Sequence, residues 1–151
     1  MLPEIVFREE AVLNLLVRLT AAAFIAICAP VVAAAEVIVF PGVVQRELSV
    51  NAIRLVFTMR VLHWPDGTRI RVFVLQDDHP AHRDFSKRSL GLYPHQLRRV
   101  WDRNRYSGSG PVPVEVMSVE EMMERVSATP GAIGYVPEAA LKEGVEVVHV
   151  E

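Results

Sequence analysis

The pattern of apolar and polar positions divides the chain into a leader and a folded remainder. Leu19 to Ala35 (LTAAAFIAICAPVVAAA) is uncharged throughout, whereas beyond it short β-branched or aromatic runs alternate with stretches whose apolar residues recur every three or four positions. Glu36 to Phe40 (EVIVF), closed by Pro41-Gly42, reads as a strand and a turn. Ser49 is placed to accept from the free amides of a helix carrying Ile53, Val56 and Phe57 on one side, with Leu48 before it closing that end against Ile53. Trp64-Pro65-Asp66-Gly67 reads as a turn. Arg69 to Leu75 then alternates and becomes continuously apolar from Val72, as a half-buried strand entering a core does.

Asp78 and Pro80 read as the entrance of a second helix, since Pro is tolerated where the first turn has no partner for an amide, and Gly91 ends it near Leu90. Leu92 to Arg105 predicts a third helix. It carries Leu97, Val100 and Trp101 on one side, and Arg98, Arg99, Arg103 and Arg105 around the other as a solvated face whose stems cover apolar surface. Tyr106 to Pro111 reads as a loop. Ser118 with Glu121 forms a capping box ahead of Met122, Met123 and Val126, and Thr129-Pro130-Gly131 stops that fourth helix. Ala132 to Val136 reads as a buried strand, Pro137 to Leu141 as one helical turn, and Val145 to Val150 as a last strand. Such alternation predicts an α/β fold with a mixed, mostly parallel sheet flanked by helices.

The leader accounts for the high mean hydropathy of +0.25. Arg18 precedes an apolar core of roughly ten residues, Pro30 breaks it, and Ala33-Ala34-Ala35 supplies the small side chains of a cleavage site. Residues 1–35 therefore read as a cleavable signal peptide of a secreted, periplasmic protein, although Glu4, Glu9 and Glu10 make its start unusually acidic. As a membrane anchor the uncharged stretch is short of the roughly 20 residues that span a bilayer. The single cysteine, Cys28, follows Ile27 where a lipoprotein signal needs a small residue, so lipidation is not expected. The remaining 116 residues, 36–151, carry 14 basic and 15 acidic side chains, enough for one domain and without the basic excess of a nucleic-acid binder. Free of cysteine, they gain no disulfide and depend on their core.

Candidate chemistry is sparse. His79 and His82, three residues apart at a helix start with Arg83 beside them, could help to hold an anion near the positive helix end or reach a metal. A metal needs further ligands than Asp77, Asp78 and Asp84 nearby suggest, and solvent-exposed histidines at a helix entrance are the plainer reading. Ser107-Gly108-Ser109-Gly110 could bring hydroxyls and amides to an oxyanion, with Arg103 and Arg105 close by, or be a plain turn. Pro111-Val112-Pro113 follows it instead of a lysine and a helix start, which excludes an ATP-binding loop. With no cysteine nucleophile, no Gly-x-Ser-x-Gly elbow and no paired acid and base, neither an enzyme, a cofactor nor a metal centre is expected.

The order Leu48-Ser49, a helix ending in Val56-Phe57, the turn Trp64-Pro65-Asp66-Gly67, a strand, a helix with Arg83 and Phe85, and Thr129 to Val136 (TPGAIGYV) resembles the phosphate ABC transporter substrate-binding proteins. The resemblance implies a periplasmic type 2 binding-protein-like domain over 36–151, in a short single-lobe form that lacks most of the first lobe. It implies a phosphate or other oxyanion ligand, held in the family between two lobes by serine and threonine hydroxyls, helix-start amides, an arginine and an aspartate, and an inner-membrane permease or envelope protein as partner; the candidate ligand residues of this chain, His79, His82, Arg83, Ser107 and Ser109, rest on their own chemistry, and the family's phosphate role is not carried to Ser107 and Ser109. The chain departs from the family at Phe57-Thr58-Met59, and at Gln76-Asp77-Asp78-His79-Pro80, where an anion loop should stand and two aspartates would repel phosphate. The alternative is an exported interaction module that forms a homo-oligomer or docks on an envelope partner through the surface that the absent lobe would cover.

Overall fold

The structure, a computed structural model, describes residues 34–108 and 110–151. The expected leader up to residue 33 and Ser109 lie outside the described residues. The elements follow in the order β1 (Ala35–Val39), β2 (Glu47–Leu48), α1 (Val50–Phe57), β3 (Arg71–Leu75), α2 (Pro80–Arg88), α3 (Pro94–Ser107), β4 (Val114–Val116), α4 (Val119–Ala128), β5 (Ala132–Pro137), a 3-10 turn (Glu138–Ala140) and β6 (Glu146–Val150). Ala35, where cleavage is expected, already pairs with Pro137 as the first residue of β1.

The strands form one sheet in the order β2-β6-β1-β5-β3-β4. β1 runs antiparallel to both of its neighbours, β5 and β6, whereas β2 with β6, β3 with β5 and β3 with β4 are parallel pairs. The sheet is thus mixed and mostly parallel, as the alternation of elements predicts.

Neighbouring residues of β5 show how the helices are layered. Tyr135 points to one face, where its ring stacks on Phe85 of α2 with centroids 4.0 Å apart and meets Phe57 of α1 at 5.9 Å. Trp101 of α3 joins this layer by donating its Nε1–H to the Phe57 carbonyl at 2.9 Å. Gly134 points to the other face, where any Cβ would collide with Met122 and Val126 of α4. Glycine here lets α4 lie close against the sheet. Helices α1, α2 and α3 therefore cover one face and α4 the other.

The topology that follows matters for function. From β3 the chain reaches its neighbour β4 through α2 and α3 on the Tyr135 face, and from β4 it returns past β3 to β5 through α4 on the opposite face. The carboxyl ends of adjacent parallel strands thus feed connections to opposite faces, and such a switch point opens a crevice where α/β sheets take ligands.

Several local features differ from the expectation. β2 and β4, of two and three residues, were too short to leave a periodic pattern. α2 is capped by His79, whose Nδ1 accepts from the Ala81 N–H at 3.1 Å, and not by Asp78. α3 continues through Tyr106 and Ser107 to a left-handed Gly108, so the expected loop starts two residues later. The Ser118 hydroxyl caps α4 through the Glu121 N–H, but the Glu121 carboxylate returns to the Met117 N–H and not to that of Ser118. The other end of the sheet follows the sequence closely. The Trp64 indole donates to the Gly131 carbonyl at 3.0 Å, and Gly131 itself, at φ 74°, leaves no room for a Cβ against the Arg69 carbonyl.

Candidate functional site

The switch point is bordered by the segment after β3, Gln76 to His79, and by Met117 after β4. Gln76 and Met117 touch across it, the amide nitrogen lying 3.4 Å from the sulfur. Beneath them the Asp77 carboxylate receives a two-pronged grip from Arg98 of α3, with Nε at 2.9 Å and Nη2 at 2.7 Å. Nη2 also donates to Glu115 of β4 at 2.8 Å. The Arg98 guanidinium lies 5.3 Å from the Trp101 ring, a cation–π placement. Arg98 is therefore not part of a solvated face. It ties α3 to the loop after β3 and to β4, and its hydrogen bonds with Asp77 raise its already high pKa.

His82 lies below this cluster and is 1% exposed, which overturns the reading of a solvent-exposed histidine. Tyr135 determines its state. The Tyr135 oxygen accepts from the Leu75 N–H at 2.9 Å, so its own proton is available to His82 Nδ1 at 2.5 Å. Nδ1 is then the acceptor of the ring and Nε2 carries the proton. Nε2 has no hydrogen-bond partner and faces Asp77 Oδ1 at 3.8 Å. Burial pushes the His82 pKa down to about 4, against the opposing pull of the Asp77 carboxylate, so the imidazole is neutral at neutral pH. Burial also raises the pKa of Tyr135, which keeps its phenol protonated.

The electrostatic sum of this crevice is negative, because Asp77 and Glu115 face one arginine and a neutral histidine. Asp78 adds a further exposed carboxylate at the rim. The α2 start offers few amides to an anion, since Pro80 has none, the Ala81 N–H is taken by His79 Nδ1 and the Arg83 N–H by the His79 carbonyl. An anion at this helix start would have to be met by side-chain cations. Arg83, exposed, folds its guanidinium back onto the Asp78 carbonyl at 2.6 Å. His79 is half-buried beside it.

The structure thus brings His79, His82 and Arg83 to one helix start but points them differently: capping, inward and outward. Ser107 is not brought to them. It ends α3, where its hydroxyl donates to the Arg103 carbonyl at 2.5 Å, and nine residues of helix separate it from Arg98, about 13 Å along the axis. Among the described residues no group of three or more His, Cys, Asp or Glu side chains is placed to hold a metal ion. Sequence reasoning missed Arg98, Glu115 and Tyr135 as partners of the α2 start, because they come from three distant segments. The one available signal was Gln76-Asp77-Asp78 after a buried strand, a carboxylate pair in need of a cation.

No family model matches the sequence, and no curated protein matches it. Solved structures do. An ABC-type phosphate transport receptor from Vibrio cholerae aligns with 78% of this chain at 12% identity, with a TM-score of 0.59. A Clostridium perfringens protein described as a phosphate ABC transporter substrate-binding protein, solved with bound phosphate, aligns with 78% at 16% identity and 0.63. PstS from Borrelia burgdorferi aligns with 79% at 13% identity and 0.57. The fold is that of phosphate ABC transporter substrate-binding proteins. The chain spans about half the length of these phosphate-binding proteins, 46%, 45% and 47% respectively. At this identity the shared property is the fold, and function has to be argued from the site.

Proposed function

We propose that this chain is an exported, non-enzymatic solute-binding protein in which a single lobe of the phosphate-binding-protein fold takes a small oxyanion, phosphate first, at the β3–β4 switch point. The observation that carries this reading is positional: the β3–β4 switch point of the sheet falls at the α2 start, where His79 and Arg83 stand. Arg83 would supply the charge, and His79 a polar contact beside it. Asp77, ion-paired with an Arg98 that it shares with Glu115, opposes an anion less than a free carboxylate would, within a cluster that stays net negative. An inner-membrane permease or another envelope protein would be the partner, and residues 1–35 the signal for export.

A thermal-shift titration of the chain with phosphate, sulfate and related oxyanions tests the binding, because a ligand of the folded state alone raises the melting temperature. A saturable rise with phosphate, lost in Arg83→Ala, is the expected result. No shift with any oxyanion would leave the fold as an interaction module. Export is tested separately by fusing residues 1–35 to a phosphatase that is active only outside the cytoplasm.

A further inference from the structure

The switch point holds one buried titratable group that the proposed anion contacts do not use. His82 is 1% exposed, and its Nε2, which carries the ring proton, has no hydrogen-bond partner. That nitrogen faces Asp77 Oδ1 at 3.8 Å, the same oxygen that accepts from Arg98 Nη2 at 2.7 Å. One carboxylate oxygen therefore stands between two basic groups, of which only Arg98 is charged at neutral pH. The charged and titratable groups around the imidazole are Asp77 after β3, Arg98 of α3, Glu115 of β4, Tyr135 of β5 and His79 at the start of its own helix. The Trp101 ring of α3, with its centroid 6.1 Å away, adds an apolar wall.

Two costs keep His82 neutral while no anion is bound. Burial penalises the charge. A second ring proton would also sit on Nδ1, so the Tyr135 hydroxyl would have to accept there and turn its own proton away, its oxygen still serving the Leu75 N–H. An anion beside Arg83 alters the balance. Asp77 and Glu115 against Arg98 leave one negative charge in the cluster, which repels the anion, and a proton on His82 cancels it. The imidazolium then shares Asp77 Oδ1 with Arg98, whose Nη2 already serves Glu115 as well, so the arginine's hold on Asp77 loosens. We propose that oxyanion binding at the β3–β4 crevice takes up one proton from solvent on His82, a positioning residue that sets the charge of the site through Asp77 without touching the solute. This rests on the oxyanion reading above. Linkage is reciprocal, so binding tightens as the pH falls and the bound anion raises the pKa of His82.

The test follows the His82 imidazole signals of the full chain by NMR across acidic pH, with and without saturating inorganic phosphate, which is the monoanion throughout that range. With phosphate the His82 titration is expected to move up by about one pH unit or more, and phosphate affinity to rise about threefold or more between about pH 6 and about pH 4.5. His82→Gln is expected to remove most of that rise, and where this variant fails to fold the wild-type titration decides by itself. Phosphate binding with an unmoved His82 titration, or the same rise in His82→Gln, would overturn the proposal and leave the oxyanion reading standing. Absence of phosphate binding at both pH values would overturn the two together.

Discussion

Where β3 and β5 begin, the backbone is locked by residues that are neighbours in motifs, Trp64 to Gly67 and Thr129 to Gly131. Where β3 and β4 end, Asp77, His82, Arg98, Glu115 and Tyr135 come from five separate segments and hold one another through side chains. The first end is made of turn geometry and shape, and each part has few substitutes. The second is a polar network whose members can be weakened one at a time. Position in an α/β sheet adds a further difference, since ligand crevices form at the carboxyl ends of parallel strands. The turn geometry of one end therefore supports the fold, while the charge arrangement of the other is free to carry function.

The largest effect is expected at the first end. Gly131→Ala places a Cβ against the Arg69 carbonyl and holds a left-handed φ of 74° with an L side chain. Backbone against backbone cannot yield by a rotamer change, so a loss of about 3 kcal/mol or more is expected in urea denaturation. A loss below about 1 kcal/mol would show that the two chain segments can part freely.

This difference between the ends also explains what could be read from the sequence. Turn residues act locally: Pro65, Gly67 and Gly131 announce their geometry wherever they occur, and the elements they separate were legible together with the mixed, mostly parallel sheet. The Ser49 and Ser118 caps were legible for the same reason. The second end was not, because a contact between Asp77 and Arg98 leaves no local signature and a buried histidine has the same letter as an exposed one. His82 is internal because Tyr135, 53 residues away, offers it a hydrogen bond. β2 and β4 escaped detection because their strand conformation is imposed by β6 and β3, not by their own pattern.

The second end is expected to respond to pH. The unfolded chain protonates His82 near 6.5, whereas the folded chain keeps it neutral until about 4. Between these values unfolding takes up a proton, so stability is full above 6.5 and falls as the pH drops, by about 3 kcal/mol at pH 4. His82→Gln removes this component, and the difference in stability between wild type and variant is expected to change with pH within that window. A His82 titration near 6.5 by NMR would contradict its burial as a neutral acceptor.

Tyr135→Phe leaves the Leu75 N–H and His82 Nδ1 without their partner while keeping the ring stacked on Phe85, a loss of about 2 kcal/mol. Stability equal to wild type would mean that the hydroxyl holds neither group. Arg98→Met keeps an unbranched apolar stem and removes the ion pairs together with the guanidinium over Trp101. The Asp77 and Glu115 side chains are 36% and 40% exposed, so solvent screening limits the expected loss to about 1 kcal/mol, smaller still in high salt. A loss independent of salt would instead point to packing.

The most direct test of the oxyanion reading is a phosphate titration of the isotopically labelled chain followed by amide NMR. The expected result is saturable shifts at Asp78 to Arg83 and around Arg98, with the Trp64 indole and Gly131 signals unmoved. No shifts at the α2 start, or shifts confined to the Trp64 end, would contradict a solute site at the β3–β4 crevice.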